Sequence, residues 1–287
     1  VYEVLALQTS ESLGSSTAPV QVRGHTVTLK STAGQVFAQV QGDEPLSVQV
    51  SGAQGAAVKH AGTLRFVSGS SVISSSGSVL VRAEDDLWVS GLTVRANSAN
   101  LEAGRAIKAT ATANAASLDF SGDLHLQAKA GIGGLGYARI LVDSLSPNAQ
   151  ISAVNTSSGD IVIAGRNGLI IGSQGVQNES GGLEVLLSGM GQISGLNNLT
   201  VGNKAILVTG RDWIDESFIN MLNNLGRLIN SGVLSIDTPS PLERMNRQLR
   251  GDSAKSLTVE DTLNTAPRLL NANSSPVLQA GPAKPRG

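Results

Sequence analysis

The chain has 287 residues, of which 40% are hydrophobic, 15% are charged and 3% are aromatic, with a formal net charge of −1. This length allows a sizeable buried core. Its 21 Lys and Arg against 22 Asp and Glu give no excess of positive charge for binding nucleic acid. The absence of cysteine excludes disulfides, iron–sulfur clusters and thiolate zinc sites. No apolar run reaches about 18 residues, so no membrane-spanning helix is predicted.

A glycine-led pattern, Gly-x-Φ-x-Φ with Φ an apolar residue, returns along much of the chain. It reads GTLRF from Gly62, GSVLV from Gly77, GDLHL from Gly122, GDIVI from Gly159, GGLEV from Gly181 and, with asparagine in the turn position, NNLTV from Asn197. Glycine and asparagine tolerate positive φ in a turn. Each Φ-x-Φ is a short strand with alternate side chains on one side. A loose period of about 15 to 22 residues is typical of a solenoid with one coil per repeat.

Stacking of these strands explains the composition. A single short strand cannot bury its apolar face, but copies stacked on each other share a hydrogen-bonded ladder and an apolar interior. A narrow interior suits Val, Ile, Leu and Ala better than aromatic rings. We therefore predict a β-solenoid over residues 1–210, with about ten coils and a length on the order of 50 Å. The rival prediction is a β-sandwich, which favours strands at a spacing of about 8 to 12 residues and large core aromatics.

Three stretches resemble the repeats of filamentous-haemagglutinin-type exoproteins. They are GSVLVRAEDDLWVSGLTV from Gly77, GDLHLQAKAGIGG from Gly122 and GDIVIAGRNGLIIGS from Gly159. In that family a Gly-Asp/Asn-Leu/Ile turn opens each strand. The resemblance covers residues 60–210 and implies a single-stranded, right-handed β-helix that serves as a shaft.

The composition changes abruptly beyond the repeats. RDWIDESFINMLNNLGRLINSG has apolar residues at three- and four-residue steps, which predicts an amphipathic helix of about five turns. SPLERMNRQLRG predicts a second helix, from an N-cap at Ser240 to a stop at Gly251. We predict that residues 211–251 cap the open last coil. The alternative is that they dock on the next subunit of a head-to-tail polymer.

The last segment, residues 252–287, is rich in Pro, Asn and Ser and carries isolated apolar islands. This composition predicts an extended or disordered tail. It leaves open whether the tail lies on its own rod or on a neighbour's.

The segment QAKAGIGGLGYARILVD contains Gly131-x-Gly133-x-x-Gly136, the spacing of a dinucleotide-binding turn. That site needs a fully buried strand before the glycines and a long helix after them. Here the preceding DLHLQAKA alternates between apolar and polar residues, and the following YARILVDSLSPNA soon reaches Ser-Pro. We therefore interpret the glycines as turns and predict no bound cofactor.

The three histidines lie on different repeats and share no metal-ligand spacing, so an outward-facing, hydrogen-bonded role is predicted for His25, His60 and His125. The acidic residues are also scattered: Asp43, Glu44, Glu84, Asp85, Asp86, Asp119, Asp123 and Asp160. Structural roles in turns are the preferred interpretation. Columns of acids could form if coils align, for instance Asp123 over Asp160.

Asn-x-Ser/Thr triplets begin at Asn155, Asn178, Asn198 and Asn273. A chain this rich in Ser and Thr produces such triplets by chance. We predict no catalytic residues, no cofactor-binding residues and no metal ligands.

The repeats and the absence of a convergent polar cluster favour a structural or adhesive protein over an enzyme. It would be a rod, either the subunit of a filament or a shaft segment of an adhesin. Its predicted partners are further copies of itself, arranged head to tail, or a host or cell-surface carbohydrate. The alternative is a carbohydrate-active β-helix enzyme, namely a polysaccharide lyase, a hydrolase or a phage tail spike, with two or three carboxylates on one outer face.

The chain begins VYEVLALQTSES, without methionine. Such a start is typical of a mature product after signal removal, or of a boundary within a longer chain. The absence of cysteine fits a bacterial exported protein that avoids thiols, and it also fits many cytosolic proteins. We expect a secreted, extracellular or bacterial cell-surface location.

Overall fold

The computed structural model describes residues 4–42, 45–110, 116–134, 138–189, 191–200 and 204–208. The predicted helical cap over residues 211–251 and the predicted tail over residues 252–287 lie outside the described residues.

The described residues form strands joined by short turns, with one turn of 3-10 helix at Leu196–Asn198. In chain order the strands are β1 Val4–Thr9, β2 Val20–Val22, β3 Thr26–Ser31, β4 Gln35–Val40, β5 Ser47–Gly52, β6 Gly55–His60, β7 Leu64–Arg65, β8 Ser70–Ser74, β9 Ser78–Ala83, β10 Leu87–Trp88, β11 Leu92–Ala103, β12 Ile107–Lys108, β13 Leu118–Ala128, β14 Ile140–Ser144, β15 Gln150–Asn155, β16 Ile161–Gly165, β17 Leu169–Asn178, β18 Leu183–Ser188, β19 Ile193–Ser194, β20 Leu199–Thr200 and β21 Lys204–Val208.

The strands pair in parallel to form three ladders. The first ladder joins β1, β3, β5, β8, β11, β13, β14, β16, β18 and β21. The second joins β2, β4, β6, β9, β11, β13, β15, β17 and β20. The third joins β7, β10 and β12 and continues through bridges at Ile132 to Ile161. β11 and β13 belong to two ladders because each runs around a corner.

This pairing is a parallel β-solenoid of about eight turns, so the β-solenoid is confirmed for the described residues and the β-sandwich is wrong. About eight turns give a rod of about 40 Å, somewhat shorter than expected. The coils differ in length, because in the first ladder Thr26 pairs with Ser47, Thr93 with the more distant Asp119 and, near the end, Leu183 with Lys204.

The predicted period was too short, because the glycine motifs fall on different sides of a coil. Gly62 precedes a strand of the third ladder, whereas Gly77 precedes a strand of the second. The distance along the chain from one motif to the next is therefore often less than one full coil.

Apolar side chains fill the interior. The early strands of the first ladder alternate, as in β3, where Val27 and Leu29 are buried, whereas every residue of β16 and β18 is buried. The register neighbours of the two β3 residues in β5, Val48 and Val50, are buried as well. The columns run through the whole described solenoid, and the aromatic Phe66 and Phe120 fit among the aliphatic residues. Each coil therefore completes the hydrophobic core of the next.

The corners bring the backbones of neighbouring coils very close. A β-carbon added at Gly104 would lie 1.7 Å from the carbonyl oxygen of Glu84, one coil earlier. At Gly77 it would lie 1.8 Å from the carbonyl oxygen of Gln54. Neither glycine has a positive φ, so the backbone conformation does not require glycine at these positions. The close approach of the neighbouring coil does.

Candidate functional site

Two carboxylates lie next to each other on the outer side of the first ladder. Asp119 of β13 pairs in register with Asp143 of β14. Asp119 lies between the buried Leu118 and Phe120, so its side chain points away from the core. Neighbouring parallel strands are about 4.8 Å apart, which brings the two acids within reach of one small group.

The surroundings of the two acids differ. Asp143 contacts Arg166 Nη1 through Oδ2 at 3.3 Å and accepts a hydrogen bond from Asn167 Nδ2 at 3.1 Å. Burial raises the pKa of Asp119, and the charge of Asp143 raises it further, while Arg166 and Arg95 act in the opposite direction. Two acids whose environments differ in this way can serve as a proton donor and its counterpart.

A second outer feature lies on the third ladder, where Arg65, Trp88 and Lys108 occupy one column on three successive coils. We call these three residues the basic–aromatic ladder. The guanidinium carbon of Arg65 is 5.0 Å from the centre of the Trp88 ring, and Lys108 Nζ is 5.6 Å from it. The ring thus lies between two cations along the rod, at distances typical of cation–π contacts.

One carboxylate connects to this ladder from the preceding corner. Asp86 Oδ2 is 2.7 Å from Lys108 Nζ, and its Oδ1 is 3.7 Å from Arg105 Nε. Oδ1 also accepts a hydrogen bond from the backbone N–H of Ala106 at 3.2 Å. The side chain of Asp86 is only 10% exposed, so this acid ties two coils together.

The histidines occupy three different environments. His60 is buried and points inward, contrary to the predicted outward position: its Nδ1 accepts from the N–H of Gly62 at 2.8 Å and its Nε2 donates to the carbonyl of Gly42 at 2.9 Å. It bridges two corners of successive coils. His25 is exposed. His125 faces outward, as predicted. Its buried Nδ1 has no hydrogen-bond partner among the described residues, so the predicted hydrogen bond is not found at this nitrogen.

Two of the asparagines that begin Asn-x-Ser/Thr triplets are part of the interior. Asn155 and Asn178 are buried and stack in register. Asn155 Oδ1 accepts from the N–H of Gly131 at 2.8 Å, and its Nδ2 donates to the carbonyl of Ser158 at 2.8 Å and to Oδ1 of Asn178 at 3.0 Å. The two asparagines therefore have a structural role as an interior amide stack.

The glycine motif is a turn, as predicted, at the two positions that the structure describes. Gly131 and Gly133 have φ values of 110° and 69°, a region that favours glycine. The N–H of Gly131 donates to the Asn155 amide of the next coil. Gly136 lies outside the described residues.

The acid column named above as one possibility, Asp123 over Asp160, does not form. Asp123 lies opposite Ser98 and Gln150, not opposite Asp160, and Asp160 instead accepts a hydrogen bond from the N–H of Leu183. The pair that does form is Asp119 and Asp143, and it was missed because the coil at this point is longer than the predicted period. Asp43 and Glu44 lie outside the described residues.

Over the described ranges, no group of three or more His, Asp or Glu side chains could hold a metal ion. Over the same ranges, no helix has the length and apolar character needed to cross a membrane.

No known family model matches the chain, and neither a curated protein nor a solved structure matches it significantly. The parallel ladders are consistent with a β-helix repeat shaft, while no family match supports the resemblance to filamentous haemagglutinin specifically.

Proposed function

We propose that this protein is a secreted or cell-surface structural or adhesive rod, either a filament subunit or a shaft segment of a larger adhesin. The observation that supports the proposal most is the uninterrupted first ladder, which runs from β1 to β21 over an interior filled by aliphatic side chains. Such a stack resists bending and carries outer side chains in columns at a spacing of about 4.8 Å. In this role the shaft is a right-handed β-helix of the filamentous-haemagglutinin type.

The filament form of the proposal gives residues 211–287 the role of connecting subunits head to tail. Negative-stain imaging of the whole chain and of a chain lacking residues 253–287 tests it. We expect fibres from the whole chain and short rods from the truncated one. Compact, non-elongated particles in both samples would contradict the rod. Single rods in both samples would contradict the filament form, and the shaft segment of an adhesin would then be the form that stands.

A second candidate function, a carbohydrate-active enzyme, is favoured by the carboxylate pair of Asp119 and Asp143. Glycosidases use two such groups, one to protonate the leaving oxygen and one to act as base or nucleophile. The raised pKa of Asp119, caused first by burial, suits the proton donor.

This candidate is tested by incubating the chain with acidic and neutral polysaccharides and measuring new reducing ends and unsaturated uronate. An enzyme would lose at least about a hundredfold of its rate in Asp143→Asn. Asp123→Asn is the matched control, because Asp123 is an exposed acid on another ladder. The absence of any cleavage by the unaltered chain would reject this candidate.

A further inference from the structure

The basic–aromatic ladder combines charges that are incompletely balanced. Arg65 is exposed and contacts no carboxylate among the described residues. The side chain of Arg105, beside the ladder, is 62% exposed, and its only ion pair within the described ranges is the 3.7 Å contact to Asp86. Lys108 and Arg105 thus share the carboxylate of Asp86, while Arg65 has no ion pair among the described residues.

Hydroxyl groups extend the same surface. Ser90 follows Trp88 by two residues and Thr110 follows Lys108 by two, so both side chains share the outward direction of the ladder. Ser90 Oγ and Thr110 Oγ1 are 2.8 Å apart, and the N–H of Thr110 donates to Ser90 Oγ at 2.8 Å. Hydroxyls can both donate and accept, as sugar hydroxyl groups require.

The spacing of the cations is set by the fold. Arg65 and Lys108 are two coils apart, which corresponds to about 9 to 10 Å along the rod. This length is comparable with one disaccharide of an extended glycan. A linear polymer with a negative group on every second sugar could therefore meet both cations while it lies along the rod.

The surroundings of the Trp88 ring disfavour ligands that stack on an aromatic face or accept a hydrogen bond from the indole. Nucleic-acid bases and neutral sugars use an open aromatic face for stacking, but the two cations lie along the ladder on either side of this ring. The indole Nε1 is buried and has no hydrogen-bond partner among the described residues, so it does not offer a donor at the surface. The ring acts as a spacer that holds the two cations apart.

We propose that the basic–aromatic ladder, together with Arg105, Ser90 and Thr110, is a binding site for a linear acidic polysaccharide. Carboxylate or sulfate groups of the glycan contact Arg65 and Lys108, and its hydroxyls contact the Ser90–Thr110 pair. This assignment rests on the adhesive form of the proposed function and specifies its class of ligand.

The test is calorimetric titration of the whole chain with a size-defined oligogalacturonate and with its methyl ester, which has the same sugars without charge. A heparin-derived oligosaccharide separates sulfate from carboxylate recognition. We expect binding of at least one acidic probe, none of the ester, and weaker binding at higher salt concentration. Binding of the ester as tightly as the acid would overturn the site.

Variants locate the binding on the rod. Arg65→Gln and Lys108→Gln should each weaken it about tenfold, the effect of losing one charge-assisted contact. Asp85→Asn, which removes an exposed acid from the neighbouring corner, should strengthen it. Lys30→Gln is the control, because Lys30 is an exposed cation on the first ladder.

Loss of binding in Lys30→Gln with full binding in Arg65→Gln would overturn the proposal, as would failure of both acidic probes to bind. Thermal unfolding of each variant shows whether the fold is retained. Lys108→Arg keeps the positive charge that Lys108→Gln removes, so it should bind the acidic probe like the unaltered chain. Imaging separates this outcome from the proposed function. Rods that bind neither probe overturn only the site, and binding by a chain that forms no rods overturns only the rod.

Discussion

Two regions of the rod fill the same interior column with different chemistry. In β9 and β11 the last inward position is Ala83 and Ala103, which pair in register. In β15 and β17 the last position of the second ladder is Asn155 and Asn178. The corners that follow differ in length: those after the two alanines are short, whereas those after the two asparagines are longer.

A longer corner needs side-chain hydrogen-bond partners that a short corner does not need. In the short corners, backbone groups pair with the next coil, as the N–H of Arg105 does with the carbonyl of Asp85. A longer corner carries more polar groups than the ladder can pair, and buried polar groups need partners. Asn155 supplies these partners to the carbonyls of Ser158 and Gly159. His60 serves the long corner after β4 in the same way, by donating to the carbonyl of Gly42.

The largest effect is expected from Asn155→Leu, which keeps the volume but leaves the N–H of Gly131 and the carbonyl of Ser158 without these partners. We expect the free energy of unfolding to fall by about 3 kcal/mol or more, measured by urea denaturation. Asn100→Leu is the control, because Asn100 is an exposed, outward residue of β11, and should cost less than about 0.5 kcal/mol. Equal effects of the two changes would show that the long corner does not depend on the amide.

In the short corners we expect stability to be lost through steric overlap between coils rather than through unpaired polar groups. Gly104→Ala puts a β-carbon against the carbonyl of Glu84 and forces two coils apart, so we expect a loss of about 2 kcal/mol. In Gly55→Ala the nearest atom to the new carbon is 3.5 Å away, an ordinary contact, so its midpoint in urea should stay near that of the unaltered chain. If both glycines tolerate alanine, the coils are less tightly stacked than described.

On the outward side of these coils, His125 should make stability depend on pH. Burial lowers its pKa, and the charge of Glu102 opposes this only in part. The unfolded chain therefore binds the proton more readily, so the stabilisation is complete above pH of about 6.5 and is lost as pH falls through the lowered value. His125→Asn should flatten this slope between pH 7 and 5 in thermal unfolding. Gln127→Asn, at an exposed and non-titrating position of the same strand, should leave the slope unchanged.

The smallest effect is expected at Asp119. Its pKa is raised in the folded state, so the folded chain holds the proton more tightly, and stability is lost as pH rises through the raised value. Asp119→Asn should therefore raise the melting temperature at pH 7 by about one or two degrees. This gain should disappear near pH 3, where the acid is protonated in both states. A lower melting temperature at pH 7 would show that the charge of Asp119 is favourable.

The class of fold could be predicted because its causes are local. Glycine turns, alternating strands and an aliphatic interior with few rings all act within one coil, and segments such as that from Gly77 show them directly. The Gly131 and Gly133 turns could be interpreted correctly for the same reason.

The contacts between coils could not be predicted, because they depend on register. The stretch of chain from Arg65 to Trp88 is longer than the stretch from Trp88 to Lys108, so no fixed period aligns the three residues. The alignment of Asp119 with Asp143 was missed for the same reason. The interior role of Asn155 was missed because nothing in its local sequence shows the length of the corner whose carbonyls it binds.

The central claim is that neighbouring coils lie in parallel register, and spin labels measure this directly. The chain has no cysteine, so labels can be placed on cysteines introduced at pairs among Gln49, Ser71 and Thr93, which occupy one outward column. Labels at 49 and 71 should be about 5 Å apart and show strong spin exchange, and labels at 49 and 93 should be about 10 Å apart and show only dipolar broadening. A spectrum of the 49 and 71 pair equal to the sum of the two single-label spectra would contradict the stacked solenoid.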